Sequence, residues 1–309
     1  MIEILLATYN GAAFLAELLS SLETQSYPNW TLVVRDDGSC DSTLAILAQW
    51  SVANPSRLKL VESGGNRLGA AGSFSALLQQ ANADYVAFCD QDDVWKPERL
   101  AVAMAAMREA EGTWPLAPVL VHSDLEVVDR RLKTVSPSLW RYHRAHPHYE
   151  DPVRVALRNS VTGCTVTMNR RLVELVTPLP TGALMHDWWV AITASAFGKV
   201  IPVNCALVRY RQHDANEVGA QRRSFLSTVR KGLQFWRCNE IRRGLQASGQ
   251  QAGAFVETFG PVLPRQTLRR FQALAALSGQ SPFRRRLDIL RFRLIPGSMA
   301  DLLGLLVRV

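Results

Sequence analysis

Over its first 130 residues the chain alternates short apolar runs with segments of helical period, a pattern that points to a largely parallel sheet covered by helices. Residues 2–7, 31–35, 58–62 and 85–89 read as strands, and residues 12–22, 43–51 and 73–80 as the helices between them. Each strand closes on a polar or glycine-bearing turn: Thr8-Tyr9-Asn10-Gly11, Asp36-Asp37-Gly38-Ser39, Gly64-Gly65-Asn66 and Asp90-Gln91-Asp92-Asp93. Ligands of open α/β sheets bind beyond the carboxyl ends of the strands, so these turns are expected to converge on one site.

The turns differ in chemistry. Three carboxylates, Asp90, Asp92 and Asp93, repel one another unless a cation sits among them, and hard oxygen ligands suit Mg²⁺ or Mn²⁺ bridging to a diphosphate. The same stretch also reads as a solvated loop in which Asp92 or Asp93 caps a helix starting near Lys96-Pro97. Asp37 at a strand end can accept a base N–H or a ribose hydroxyl; the alternative is an Asx turn before the helix that Asp41-Ser42-Thr43 opens. The Thr8–Gly11 turn offers backbone donors and the Asn10 amide beside a helix N-terminus, a place for a base or phosphate. Neither it nor Gly64-Gly65-Asn66-Arg67-Leu68-Gly69 matches a Walker loop or the dinucleotide fingerprint, which removes the main support for ATP-hydrolase and NAD readings.

A proline-punctuated stretch with His143, His146 and His148 leads to a second part, with strands expected over 161–168 and 200–210 and a helix over 184–196. In Met185-His186-Asp187-Trp188-Trp189, an aromatic shelf of Trp188 and Trp189 can stack on a sugar ring while Asp187, partly desolvated, takes a hydroxyl proton as general base. A core tryptophan pair with a helix-capping aspartate is the other reading. The segment from Arg209 to Asn216 can hold diphosphate oxygens, with a neutral His213 completing a metal's ligand set, or form a polar surface loop.

Charge divides the chain. Residues 220–309 hold sixteen Arg or Lys against four acids, a net +12 that leaves −4 for the preceding 219 residues out of a total of +8. The tail has Phe225, Val229, Leu233 and Trp236 at helical spacing with Arg230, Lys231, Arg237, Arg242 and Arg243 between them, and further basic helices near 268–277 and 286–294. Such a tail calls for an anionic partner, and an anionic membrane surface is expected; nucleic acid is not, because no nucleic-acid-binding motif appears. Five scattered cysteines without CxxC spacing point to a reducing compartment. The N-terminus reads as a strand and not a secretion signal, and no apolar run reaches the roughly 18 to 20 residues of a spanning helix. A cytoplasmic protein, peripheral on the inner membrane face, is the expectation.

Taken together, Ala7-Thr8-Tyr9-Asn10-Gly11, Asp36-Asp37-Gly38-Ser39 and Asp90-Gln91-Asp92-Asp93 resemble the inverting glycosyltransferases of family 2, which have the GT-A fold. Asp90-Gln91-Asp92-Asp93-Val94-Trp95, His186-Asp187-Trp188-Trp189 and Tyr210-Arg211-Gln212-His213 resemble that family's bacterial rhamnosyltransferase-like branch. The resemblance covers most of residues 1–215. It implies a GT-A domain over 1–219, with a nucleotide-binding half at 1–130 and an acceptor and catalytic half at 131–219, followed by a basic amphipathic helical region at 220–309. It also implies a divalent metal, a nucleoside-diphosphate sugar donor with dTDP-rhamnose the lean, and a saccharide or lipid-linked saccharide acceptor in surface-polysaccharide synthesis. Thr8, Asn10 and Asp37 would hold the nucleoside, and Asn66 and Arg67 fall loosely on the donor side. Asp90 would face ribose or metal, Asp92 and His213 would ligate the metal, and Asp187 would be the catalytic base. A non-catalytic nucleotide-sugar or nucleic-acid-binding module is the competing class, which needs no such combination of Asp90, Asp92 and Asp187. A sugar-nucleotide pyrophosphorylase would want a basic glycine-rich loop near the N-terminus, and Thr8–Gly11 holds no lysine or arginine.

Overall fold

The computed structural model describes residues 1–143, 150–213 and 233–294, with side chains from residue 243 onward in the last stretch. In chain order, β1 (Ile2–Thr8), α1 (Leu15–Glu23), β2 (Trp30–Asp36), α2 (Thr43–Ala53), β3 (Leu58–Val61), α3 (Gly69–Gln80) and β4 (Tyr85–Asp90) make the alternating half. There follow β5 (Val94–Trp95), α4 (Arg99–Thr113), β6 (Val119–Val128), β7 (Thr134–Ser136), α5 (Leu139–Tyr142), α6 (Pro152–Leu157), β8 (Thr167–Asn169), α7 (Arg170–Val176), α8 (His186–Phe197) and β9 (Lys199–Arg211). Helices α9 (Leu233–Phe259), α10 (Arg265–Ala276) and α11 (Pro282–Arg291) complete the described chain. His146, His148, Asp214 to Asn216 and the tail positions Phe225, Val229, Arg230 and Lys231 lie outside the described residues, as do the side chains of Leu233, Trp236, Arg237 and Arg242.

The strands lie in one sheet of order β3-β2-β1-β4-β8-β6-β9-β5, with β7 on β6. The four strands of the alternating half run parallel, whereas β8 is antiparallel to both β4 and β6. Period-two alternation sends β1 into two cores: Ile4 and Leu6 pack under α1, and Leu5 faces α3. The covering helices oblige, with Leu15, Leu18, Leu19 and Leu22 on one stripe of α1 and Phe74, Leu77 and Leu78 on α3. Register sets Thr8 opposite Asp36 and Ala7 opposite Asp90, so three ligand-bearing turns leave the sheet at one level.

Local expectation fails where a distant group intervenes. Helix α3 starts at Gly69, four residues before the expected start at 73, because the Asp37 carboxylate accepts the N–H groups of Leu68 and Gly69, at 2.7 and 2.9 Å, and caps it from the end of β2. Residues 163–165 form a 3₁₀ turn before β8, where a longer strand over 161–168 was expected. Neither Asp92 nor Asp93 caps a helix: α4 starts at Arg99 after the short strand β5, with no side-chain cap.

The basic C-terminal helices are packed against the second half of the chain, on α6 and α8. Phe255, Phe259, Phe271, Leu274 and Ile289 are buried in the same core as Trp189 of α8. Arg270 of α10 grips Asp151, the N-cap of α6, through two hydrogen bonds of 2.9 and 2.7 Å. The expectation that Trp189 belongs to an open aromatic shelf is therefore corrected: it is 1% exposed, with Phe255 and Phe259 at ring distances of 5.5 and 5.9 Å. Among the described residues no helix is long and apolar enough to cross a membrane.

Candidate active site

The turns after β1, β2 and β4 and the start of α8 enclose a cavity of about 1020 Å³. Thr8, Asn10, Asp37, Arg67, Asp90, Asp92, Asp187, Trp188 and His213 all line it, so the sequence-expected residues meet, except Asn66 and Trp189, which stand outside the lining.

On the donor side the polar groups hold one another. The Thr8 hydroxyl donates to Asp36 Oδ2 at 3.1 Å, and Asn10 Oδ1 accepts the Cys40 N–H at 2.9 Å. Asp37 is bound by the buried Arg35 guanidinium at 2.6 Å. Burial opposes ionisation of Asp37, but Arg35 and the Leu68 and Gly69 N–H groups outweigh it and hold the carboxyl below the usual range. Arg35 also donates to the Asn66 backbone carbonyl at 2.7 Å. Arg67 lies over the Tyr9 ring at 3.9 Å.

The sequence motifs assign Gln91 no role. Its amide brackets the Tyr9 backbone, Oε1 accepting the N–H at 2.9 Å and Nε2 donating to the carbonyl at 3.0 Å. The strand pairing of β1 with β4 is thereby extended into the loops. Gly11 makes room for it, since a Cβ there would stand 2.2 Å from Gln91 Oε1.

The acidic end is built around Arg211. Its buried guanidinium donates to the carbonyls of Asp92 and Arg130, each at 2.8 Å, and pairs with Glu17. Its own N–H donates to Asp93 Oδ1 at 3.1 Å. His213, two residues on, stacks on Phe14 at 4.8 Å and sets Nε2 2.8 Å from Asp92 Oδ2. Asp93 is fully buried; burial, then the charges of Asp92 and Asp90, push its carboxyl well above the usual range. The Cys164 thiol is its side-chain neighbour, no further partner among the described residues meets Oδ2, and the donor atoms of Asp90, Asp93 and Cys164 lie within 4.8 Å of one another. Crowded carboxylates with a buried oxygen left over and an imidazole alongside fit a hard divalent cation. The Cys164 thiol fits it less well, since burial raises its pKa far above neutrality.

Asp187 sits in the first turn of α8, where its carboxylate accepts the Trp188 N–H at 2.6 Å and the Gly163 N–H. Desolvation nevertheless dominates and lifts its pKa to about 6. A carboxylate so poised is basic enough to take a proton and still ionised at neutral pH. The neighbouring His186 is 3% exposed, stacked on Phe74 at 3.8 Å, and burial pushes its pKa down to about 3. Trp188 is half-buried at the cavity wall, its indole N–H donating to the Val155 carbonyl at 2.9 Å.

Comparison with known proteins agrees with this geometry. The family model described as Glycosyl transferase family 2 matches residues 3–173. An uncharacterized glycosyltransferase of Nostoc is 25% identical over 70% of this chain, which spans 66% of that relative. The Escherichia coli UDP-Glc:alpha-D-GlcNAc-diphosphoundecaprenol beta-1,3-glucosyltransferase WfgD is 28% identical over 68% of this chain and 77% of its own. The Shigella flexneri dTDP-rhamnosyl transferase RfbG is 34% identical, over 32% of this chain and 35% of its own. Among solved structures, Staphylococcus aureus TarS 1–349 with UDP-GlcNAc superposes with a TM-score of 0.56 at 16% identity, covering 99% of this chain and 89% of that one. The Pyrobaculum calidifontis mannosyltransferase PcManGT, in complex with GDP-Man and Mn²⁺, gives 0.55 at 19%, covering 99% and 86%. The fold is the GT-A fold of these enzymes.

Proposed function

The chain belongs to glycosyltransferase family 2, and from that premise we propose that it transfers a sugar from a nucleoside-diphosphate donor to a saccharide or lipid-linked saccharide acceptor in bacterial polysaccharide synthesis, by a metal-dependent, inverting displacement. The observation that carries this reading is the meeting, in one cavity, of a carboxylate with a pKa near 6, Asp187, and an acidic cluster with a histidine, Asp90, Asp92 and His213. A module that only binds nucleotides has no use for the first of these.

The donor nucleoside lies along the loops of Thr8–Gly11, Asp37 and Arg67, which Gln91 and Arg35 hold in place. Asp92 and His213, with Asp90 beside them, would hold Mg²⁺ or Mn²⁺, which when bound would offset the negative charge gathering on the leaving diphosphate. Arg211 fixes Asp92 and Asp93 from behind, so the cluster is formed before substrate arrives. Asp187 accepts the proton of the acceptor hydroxyl as that oxygen attacks the anomeric carbon opposite the departing diphosphate, which inverts the configuration. Trp188 forms part of the acceptor wall.

Relatives with glucosyl and rhamnosyl donors in their names leave the donor sugar at the level of class, with dTDP-rhamnose first to be tried. The basic C-terminal region belongs to this reading as the part that keeps the enzyme at the cytoplasmic face of an anionic membrane. The deciding experiment is a thermal-shift screen of nucleotide sugars with Mn²⁺, Mg²⁺ or chelator, followed by transfer assays with the best donor. A metal-dependent rise in melting temperature with one donor, and its turnover, are expected. No shift and no turnover with any donor sinks the proposal.

A further inference from the structure

Helix α11 presents an apolar ridge to solvent. Phe283 is 80% exposed, Leu287 52% and Leu290 51%, and their i, i+4, i+7 spacing sets all three on one face. The opposite face anchors the helix: Ile289 is fully buried, and Arg285 donates to the carbonyls of Leu277 and Gln280 at 2.9 and 3.0 Å. At about 100° per residue, exposed Arg286 falls on one side of the ridge and exposed Arg284 and Arg291 on the other. The helix's carboxylate, Asp288, lies off the ridge and accepts a hydrogen bond from Gln280 at 2.8 Å.

Single exposed leucines need no explanation, but three large apolar side chains in a row bordered by guanidinium groups mark a contact surface. Its occupant must be apolar in the middle and anionic at both margins. A second copy docking ridge to ridge brings its arginines against these. Residues 295–309 are mostly apolar but contain Asp301 as their only acid, one carboxylate for three arginines. A bilayer with anionic headgroups meets both demands at once.

We propose that the Phe283–Leu287–Leu290 ridge of α11 inserts among the headgroups of an anionic membrane, with Arg284, Arg286 and Arg291 pairing lipid phosphates on either side. This deepens the reading of a membrane-presented acceptor, on which it rests for its purpose, by naming the face that meets lipid. Because α10 and α11 share a core with α8, the contact also fixes the orientation of the catalytic half relative to the membrane.

The test is vesicle flotation of the full chain with phosphatidylcholine alone and with added phosphatidylglycerol. Wild type should float with the anionic vesicles and be released by high salt. Two variants, Phe283→Ser/Leu287→Ser/Leu290→Ser and Arg284→Gln/Arg286→Gln/Arg291→Gln, should each bind more weakly, the second on the order of a hundred-fold, since each arginine at an anionic surface is worth roughly five-fold. Absence of flotation by wild type, or flotation of either variant equal to that of wild type, overturns the proposal. So does a lipid-free dimer that the serine variant dissolves, or strong hydrogen-exchange protection of the ridge helix face in lipid-free monomer that deletion of residues 295–309 removes; these assign the ridge to a second copy or to the chain's own end. Transfer to a water-soluble acceptor, run on the same preparations, separates the two readings. An inert protein that floats through its ridge overturns the catalytic proposal alone, and an active one that ignores lipid overturns this inference alone.

Discussion

Asp92 and His213 lie 121 residues apart in the chain and meet with Oδ2 and Nε2 at 2.8 Å, the imidazole held flat by Phe14. A carboxylate and an imidazole thus converge from the end of one strand and the end of another, β4 and β9. Replacing His213 by Ala should weaken Mn²⁺ activation by at least about 10- to 100-fold, the loss typical when even a ligand's hydrogen-bonding partner is removed. Turnover against Mn²⁺ concentration gives the shift. An unchanged activation curve removes His213 from the metal site.

Asp187→Asn should lower turnover by about 10² to 10⁴ while donor-induced thermal shifts persist. In wild type, activity should fall as pH drops through about 6, because protonation of Asp187 takes away the base. Stability should move the other way. A carboxyl raised in the folded state is best tolerated protonated, so its stability contribution is present at low pH and lost as pH rises through the folded value near 6. Asp187→Asn should therefore melt higher than wild type at pH 8, and match it at pH 4. A lower melting temperature at pH 8 contradicts the desolvated base.

Gly11→Ala forces a Cβ into the space of Gln91 Oε1 and should open the clamp on Tyr9. Overpacking of this kind costs about 1 to 3 kcal/mol. The double variant Gly11→Ala/Gln91→Ala should lose less stability than the sum of the single changes, since the second removes the clash that the first creates. Strict additivity in urea unfolding means the two residues are uncoupled.

Asp37→Ala leaves the Arg35 guanidinium buried, 1% exposed, without its carboxylate and strips the cap from α3. Breaking a buried pair from one side costs about 3 to 5 kcal/mol. Asp37→Asn keeps the shape and part of the hydrogen bonding and should lose less stability. If donor affinity falls with Asn while the fold survives, Asp37 contacts the nucleoside; if affinity is unchanged, its part is confined to anchoring Arg35 and α3.

The alternating half and the convergence of its turns were legible because both follow from short-range patterns: short apolar runs, 3.6-residue helical stripes and strand ends closed by Asp, Asn and Gly. Asp90, Asp92, Asp187 and His213 stood out for the same reason, being chemically unusual where the backbone pattern breaks. Their company was not legible. Gln91 had no role in the sequence reading because its amide bonds a backbone 82 residues away. Asp93 looked like a helix cap, and only the return of β9 shows it buried under the Arg211 N–H.

The division between Trp188 and Trp189 marks the same boundary. Sequence alone determined that two indoles adjoin Asp187 on one helix, because neighbouring residues and helical pitch are local properties. Which indole faces the cavity was decided by Phe255 and Phe259, which reach Trp189 from a helix more than sixty residues further along and exclude water from it. Burial depends on what other segments bring to a surface, and that sum exists only once the chain has packed.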